Sequence, residues 1–472
     1  MKSRYAFSVV ALALMSACGA DTGLNAGETF ATADFQKFAV TLQGEDVGHM
    51  TMRTEPAGDS LIITQHMEWN LMLMGVQRTV TMEVEARTAQ NMDLGYLQME
   101  MSDGTSDIRA RAVRSGNTVE TTVTTSGRDI VFSSDFQGDY LPAFVDLASA
   151  TMEWHPGDQM VFPAFDPSTG MIFEATVVCE GIESMSLMGD TVSAARLTIS
   201  QQGMRNSVWV YEGQIVREEE PGMGMVLTRI PPETRTGIVA TGDLYEAYAV
   251  TSGIIESPRM SGERTWLLKG DIEWDGFRLD YSGLQSVSEG PVVRVTSYPP
   301  ASPHAFPMEI TDEELLPFLM SEPMIQADDP AIVALADSLT RGAADAWDAA
   351  MRISRFVDNA VESVPTVSLP SAVDVLDNLR GDCNEHTVLT VALCRAAGIP
   401  AVTCAGVVYV DRGVFGYHAW PAVWAGEWVA MDPTFGQYVA DATHIILAQG
   451  SMDQQYIVNA VLGRLSIEEL EN

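Results

Sequence analysis

The stretch Leu379-Arg380-Gly381-Asp382-Cys383-Asn384-Glu385-His386 decides the fold of the C-terminal third of this chain, because it marks a helix that begins at a cysteine. Asp382 is a favoured capping residue, Thr387 to Ala397 has good helical character, and Gly398 ends the segment. Cys383 is therefore predicted in the first helical turn. Unpaired N–H groups and the helix dipole favour a thiolate there, and the same N–H groups are suited to donate to an oxyanion.

A histidine and an aspartate are predicted to meet on the strands that follow. These strands are Ala401 to Val410, Tyr417 to Val423 and Trp428 to Pro433. The connection Trp424-Ala425-Gly426 is predicted to be a three-residue hairpin loop with glycine at its left-handed position. Paired positions are then symmetric about Ala425, so His418 lies opposite Asp432 on the same face, within reach of a hydrogen bond. Together with Cys383, these residues supply a nucleophile, a base and a group that orients the base.

Four motifs carry a resemblance to a known family. They are Gly381-Asp382-Cys383, Leu393-Cys394-Arg395-Ala396-Ala397-Gly398-Ile399-Pro400-Ala401, His418-Ala419-Trp420 and Trp428-Val429-Ala430-Met431-Asp432-Pro433-Thr434. In their order and spacing, over roughly Pro317 to Leu447, the chain resembles the transglutaminase-like superfamily. The resemblance implies an α+β papain-like fold in which the cysteine starts a helix packed on a sheet that carries the histidine and the aspartate. It also implies attack on a carboxamide, a thioester intermediate, and resolution of the thioester by an amine or by water.

The resemblance is incomplete at one point. Eukaryotic transglutaminases present an aromatic residue that stabilises the oxyanion, and many bacterial relatives have a tyrosine upstream of the cysteine. Between Val361 and Asn378 this chain has no Trp, Tyr or Gln. A second oxyanion donor is therefore not assigned, and the choice between crosslinking and hydrolysis stays open.

No metal or other cofactor is predicted. The cysteines and histidines of this region are Cys383, His386, Cys394, Cys404, His418 and His444. They include no C-x-x-C pair, and their spacings match no common zinc finger. Cys394 is predicted to be a core residue in the middle of the helix, and His386, one turn from Cys383, to be partly buried. His444 is predicted to start a late strand and is given no role.

The N-terminus has the pattern of a lipoprotein signal peptide. Lys2 and Arg4 precede an apolar stretch from Ala6 to Met15, which is shorter than the roughly 20 apolar residues of a membrane span. Met15-Ser16-Ala17-Cys18 then resembles a bacterial lipobox. We therefore expect residues 1–17 to be removed, Cys18 to become the lipid-carrying first residue, and 18–29 to form a tether. An ordinary secretory signal that happens to contain a cysteine is the alternative.

Composition limits the class of partner. Of 472 residues, 64 are acidic and 27 are Lys or Arg, which gives a formal charge of −37. Nucleic acid and anionic lipid headgroups would be repelled by such a charge. Five cysteines, of which Cys18 and Cys383 have other expected roles, leave at most one internal disulfide. The stability of the protein is therefore expected to come from ordinary hydrophobic cores.

The pattern predicts a multidomain protein with a large mainly-β N-terminal region. Residues 30–235 show short alternating runs separated by turn signals, as in Val80 to Ala86. Residues 236–310 form a smaller β segment that ends at the proline-rich run from Tyr298 to Pro303. Residues 311–472 then begin with helices and are predicted to form the α+β papain-like, transglutaminase-like catalytic domain.

These expectations favour one function and leave two alternatives. The favoured one is a lipid-anchored protein of the bacterial cell envelope, on the periplasmic or outer-membrane side, that acts on amide bonds of protein or peptide substrates through a cysteine thioester. A cysteine peptidase or amidase of the envelope is the first alternative. The second is an envelope lipoprotein that binds a partner through its β region without catalysis.

Overall fold

The computed structural model describes residues 33–73, 76–104, 107–125, 128–222, 224–236, 248–260, 262–364 and 371–470. The chain divides into two compact units, with the division between Ala247 and Tyr248. The predicted signal peptide, Cys18 and the tether lie outside the described residues. None of the described helices is long and apolar enough to cross a membrane.

The N-terminal unit is a sheet of 14 antiparallel strands. The strands are β1 Asp34–Leu42, β2 Glu45–Ala57, β3 Ser60–Leu73, β4 Val76–Ala89, β5 Leu94–Ser102, β6 Asp107–Ser115, β7 Thr118–Thr125, β8 Arg128–Asp135, β9 Gln159–Phe165, β10 Ile172–Leu187, β11 Asp190–Gln201, β12 Met204–Tyr211, β13 Gln214–Glu220 and β14 Met225–Ile230. Their spatial order is β8 to β1 followed by β14 to β9, so two meanders join where β1 pairs with β14. The predicted mainly-β region is confirmed.

One face of this sheet supplies the core of the unit. Along β4, Val80, Met82 and Val84 are buried while Glu83 is exposed, as the period of a strand requires. A short helix, α1 (Val145–Ala150), packs near β12 and β13. The buried face also carries an acidic side chain, Glu220 on β13, which is only 6% exposed. Burial raises the pKa of Glu220 to about 8.

The C-terminal unit combines helices with a nine-stranded sheet. The helices are α2 Pro330–Thr340, α3 Ala346–Ala360, α4 Ala372–Asn378, α5 Cys383–Ala396 and α6 Met452–Gln455. The strands are β15 Val250–Thr251, β16 Gly262–Lys269, β17 Gln285–Val287, β18 Val292–Ser297, β19 Glu362–Ser363, β20 Arg380–Gly381, β21 Ala401–Asp411, β22 Val414–Trp424, β23 Trp428–Ala430, β24 Ile445–Gln449 and β25 Ser466–Leu470. The sheet order is β17-β18-β16-β25-β15-β22-β21-β24, with β23 paired to β22, while β19 and β20 pair separately. Short 3-10 turns cover Trp274–Gly276, Glu313–Leu319 and Tyr456–Val461.

The predicted boundary at residue 310 does not separate two sheets. Strands β16 to β18, from the segment 236–310, lie in the same sheet as β21 and β22. The C-terminal strand β25 makes this connection, because it pairs antiparallel with β16 and parallel with β15, which in turn pairs with β22. The sequence from Tyr248 onward therefore forms one compact unit.

Helix α5 is the central element of this unit. It lies against α2, α3 and α4 and against strands β21 and β22. Its apolar positions, including Leu389 and Leu393, share one core with Ile353 and Val357 of α3. Since both sides of α5 are covered, its first residue is held firmly against the sheet.

Candidate active site

The start of α5 is fixed by a capping box. The Asp382 carboxylate accepts a hydrogen bond from the Asn384 N–H at 2.8 Å, and the Glu385 carboxylate accepts one from the Asp382 N–H at 2.7 Å. Glycine is required just before the cap, because a Cβ on Gly381 would lie 2.2 Å from the Cβ of Glu385. The Gly-Asp-Cys motif thus places Cys383 at the first position of the helix, as predicted.

The Cys383 thiol is buried, with 1% exposure. Burial, together with the nearby Asp382, raises its pKa well above the ordinary value, while a hydrogen bond from the Ala419 backbone N–H acts in the opposite direction. The expectation that the helix start favours a thiolate is therefore wrong. The capping carboxylate Asp382 itself occupies the N–H groups that would have stabilised the anion.

His418 and Asp432 are in direct contact. The Nε2 atom of His418 lies 2.9 Å from Oδ2 of Asp432, and both side chains are buried. The other carboxylate oxygen, Oδ1, accepts hydrogen bonds from the N–H groups of Thr434 and Phe435 at 2.9 and 3.1 Å. Burial opposes ionisation of Asp432, but His418 and the hydrogen bonds outweigh it and hold the pKa well below its usual range.

The predicted hairpin register differs from the observed one. Strands β22 and β23 pair symmetrically about Gly426, not about Ala425. One more backbone hydrogen bond, from Met431, continues this register past the end of β23. Met431 is therefore opposite Pro421. Asp432, the next residue, contacts His418 diagonally rather than directly across the hairpin. Because the error is an even number of residues, the two side chains stay on the same face, and the predicted contact forms.

The imidazole of His418 is held between two aromatic rings. The Phe435 ring is stacked at 4.7 Å between centroids with an interplanar angle of 12°. The Trp420 ring lies at 5.9 Å and 24° on the same strand. These contacts, together with Asp432, fix the orientation of the ring. Since Nε2 faces the carboxylate, Nδ1 is the nitrogen left to receive a proton from a thiol.

A second histidine, His444, binds the same carboxylate. Its Nε2 lies 3.1 Å from Oδ2 of Asp432, and its Nδ1 lies 3.0 Å from the backbone oxygen of Asp441 and 3.4 Å from the Asp441 Oδ1. Arg259 in turn pairs with Asp441 at 3.0 Å. Burial alone would lower the pKa of His444, but Asp441, with Asp432, outweighs it and raises the pKa to about 9. Sequence reasoning gave this residue no role, because its partners depend on the tertiary fold.

The other cysteines of this region lie in the core, and His386 lies near Asp432, one helical turn from Cys383. Cys394 packs in the helical core and Cys404 in a separate cluster against Trp420. His386 is fully buried rather than partly buried, with Nδ1 2.6 Å from the Asp382 backbone oxygen. The four cysteines of the described residues are all free thiols.

One set of side chains has the composition of a metal site. Ligand atoms of His418, Asp432 and His444 lie within 4.8 Å of one another, the one such set found among the described residues. The Nε2 atoms of His418 and His444 lie 2.9 and 3.1 Å from Oδ2 of Asp432, which are the distances of direct charge-assisted hydrogen bonds. The three side chains therefore form a hydrogen-bonded group.

Comparison with known proteins agrees with this geometry. Residues 333–433 match the model of the transglutaminase-like superfamily, so the C-terminal unit carries a transglutaminase-like domain. Residues 38–219 match a second model, a domain of unknown function (DUF6134). No curated protein matches the chain.

Three solved structures are similar at low identity. A candidate cysteine protease from Cytophaga hutchinsonii is 18% identical and covers 48% of this chain and 82% of its own, with a TM-score of 0.28. The periplasmic domain of TgpA from Pseudomonas aeruginosa, bound to ethylmercury, is 16% identical over 56% and 73%, with a TM-score of 0.23. A candidate protease from Parabacteroides distasonis is 12% identical over 72% and 69%, with a TM-score of 0.19. These similarities are too distant to assign an activity.

Proposed function

We propose that this chain is a cell-envelope lipoprotein whose transglutaminase-like domain acts on amide bonds through a thioester on Cys383. One observation carries the proposal: His418, which is paired with the buried Asp432, lies on β22 next to Ala419, whose N–H bonds to the Cys383 sulfur. A helix-borne thiol, a base and an orienting carboxylate are the parts of an activated cysteine nucleophile.

The proposed chemistry follows from the hydrogen bond that one ring nitrogen of His418 makes. Asp432 holds Nε2 of His418, so Nδ1 takes the thiol proton as Sγ of Cys383 attacks the carbonyl carbon of the amide. The C–N bond then breaks, and the leaving nitrogen takes that proton to depart as ammonia or an amine. Attack by water on the thioester, with its proton passing through His418, releases a carboxylic acid and restores the thiol. Attack by a primary amine instead gives a new amide.

Few oxyanion donors are available at the start of α5. The N–H groups of Asn384 and Glu385 are engaged by the Asp382 carboxylate. They are therefore not free to stabilise an oxyanion. With no Trp, Tyr or Gln between Val361 and Asn378, the aromatic donor of eukaryotic transglutaminases has no counterpart there. An oxyanion forms whether water or an amine attacks the thioester, so these features do not select between hydrolysis and crosslinking.

The location is proposed from the N-terminal sequence. A lipobox-like Cys18 would be acylated and would anchor the protein in the envelope, on the periplasmic or outer-membrane side. Protein or peptide chains of the envelope are then the proposed substrates. If the thiol were not used in catalysis, the same anchor would serve a lipoprotein that binds a partner.

Ammonia release from a glutamine-containing peptide tests the proposal. We expect the wild type to release ammonia, Cys383→Ala to release none, and the control Cys394→Ala, altered on the same helix, to remain active. Incorporation of an added primary amine would indicate acyl transfer, and cleavage of the peptide backbone would indicate a peptidase. If the wild type were no more active than Cys383→Ala on glutamine and peptide substrates, the catalytic proposal would be rejected. The remaining hypothesis would then be a lipoprotein that binds a partner.

A further inference from the structure

His444 is placed so that both of its ring nitrogens face hydrogen-bond acceptors. Nε2 faces the Asp432 carboxylate at 3.1 Å. Nδ1 faces the backbone oxygen of Asp441 at 3.0 Å and its carboxylate at 3.4 Å. A neutral imidazole carries one N–H and would leave one side without a donor, whereas an imidazolium donates on both sides. The geometry therefore requires the charged form.

The surroundings of His444 support this charge. The side chain is 2% exposed, and the charged or titratable groups packed around it are Asp432, Asp441, His418 and, through Asp441, Arg259. Two carboxylates face it directly, while the rings of the two histidines are 6.0 Å apart. These two carboxylates offset the positive charge of an imidazolium at His444.

We propose that His444 is a positioning residue, a buried imidazolium held by Asp441 that anchors the Asp432 carboxylate for His418. This inference rests on the proposed function of His418 as the base. Oδ1 of Asp432 is held by two backbone N–H groups, and Oδ2 is held between the two histidines. Without a donor at His444, only His418 would hold Oδ2, and the position of that oxygen relative to the ring would be fixed less strictly.

The same arrangement favours one tautomer of His418. Oδ2 of Asp432 faces Nε2 of His418 and accepts its N–H, so Nδ1 is the nitrogen that accepts the thiol proton. Loss of the His444 proton would remove the donor that anchors Oδ2 and would make activity fall at high pH.

Two variants change the charge of His444 in different ways. Asp441→Asn keeps an oxygen for the Thr443 N–H but removes the negative charge next to His444. It should lower the pH at which His444 loses its proton by at least about one unit, equivalent to a tenfold change in its proton affinity. Arg259→Met removes the positive partner of Asp441 and should leave that pH unchanged or higher. If the substitutions only loosened the segment around Asp441, the pH at which His444 loses its proton would fall in both variants.

Histidine NMR on the full-length protein measures this without a substrate. There are seven histidines, and His444→Gln identifies the signal of His444. We expect His444 to titrate near pH 9 in the wild type and earlier in Asp441→Asn. The downfield proton of the His418 Nε2–H, bonded to Asp432, should be lost at the same pH in each protein. A neutral His444 at pH 7 in the wild type would overturn the proposal.

Turnover separates this inference from the proposed function. If the enzyme is active, the high-pH fall in kcat should move with the His444 titration in Asp441→Asn while KM stays unchanged. The positioning role would be overturned if neither the His418 proton signal nor the pH profile of kcat changed with the titration of His444. Absence of turnover in every variant, with the NMR behaviour as expected, would reject the proposed function and keep the positioning of Asp432 by His444.

Discussion

Replacement of Asp432 by asparagine should disable the base by reversing its tautomer. Oδ1 of Asp432 accepts two backbone N–H bonds, from Thr434 and Phe435, and backbone donors cannot change tautomer as histidines can, so we expect the amide oxygen of an asparagine to take that place. The amide NH2 group then faces Nε2 of His418. That nitrogen becomes an acceptor, and the ring proton moves to Nδ1, the nitrogen needed to receive the thiol proton.

The loss of rate in Asp432→Asn can be estimated from the distance between His418 and Asp432. The His418 Nε2 to Asp432 Oδ2 distance is 2.9 Å, so the charge centres of an imidazolium and this carboxylate lie about 4 Å apart. At an effective dielectric of about 20, their attraction is about 4 kcal/mol. At about 1.4 kcal/mol per tenfold, its loss corresponds to about 10³ in rate. A thiol is more acidic than a hydroxyl and depends less on its base, so we expect a loss on the order of 10² to 10³-fold.

The assay is kcat for ammonia release from a glutamine-containing peptide. Circular dichroism should show that the Asp432→Asn protein is folded, since two of its backbone bonds are retained. Asp432→Ala serves as the comparison, because it removes the charge without supplying an N–H to Nε2. If the asparagine variant kept half or more of the wild-type kcat, Asp432 would not orient the base.

Further predictions concern the lipid anchor, the thiol and the N-terminal sheet. Mass spectrometry should show acylated Cys18 as the first residue, and an unmodified start elsewhere would contradict the lipoprotein proposal. Iodoacetamide should alkylate Cys383 faster than Cys394 or Cys404 in the folded protein, because Cys383 alone is a candidate for activation by a base, whereas burial raises the pKa of all three thiols; equal rates would remove Cys383 from the mechanism. Glu220→Gln should stabilise the N-terminal unit at pH 7 by about 3 kcal/mol, because the folded wild type keeps a proton that the unfolded carboxyl releases above its ordinary pKa of 4.5. Wild-type stability in urea should accordingly fall from pH 4.5 to pH 8, and an equal fall in the variant would refute the assignment.

Local signals in the sequence were sufficient for α5 and for the site strands. Asp382 with Gly398 brackets α5, as observed. Alternation over Val80 to Ala86 identified β4 and, with the turn signals, the mainly-β character of the N-terminal region. The place of β25 could not be predicted, because a strand of five residues at the end of the chain gives no indication that it pairs between β16 and β15. Such long-range pairings depend on tertiary packing rather than on local pattern.

The candidate site was predicted only in part, and the reasons are specific. The contact of His418 with Asp432 was expected from a register that proved wrong, and it survives because the shift preserves the face of the strand. The expected lowering of the Cys383 pKa was wrong, because the burial of the thiol was not visible in the spacing. His444 shows no motif, since its two carboxylate partners are brought to it by the turns before β24.

Charges alternate along the buried group, and in the proposed mechanism this alternation lets a thiol with a raised pKa serve as a nucleophile. Arg259, Asp441, His444 and Asp432 form successive opposite charges that end at His418. Burial raises the pKa of Cys383, and Asp432 stabilises the imidazolium that forms when His418 takes the thiol proton. In this proposal the proton moves only when substrate reaches Cys383 and the sulfur begins to bond, which makes deprotonation part of the attack rather than a preceding step. A neutral resting thiol is also less open to oxidation and to unwanted alkylation, because the thiolate is the reactive form.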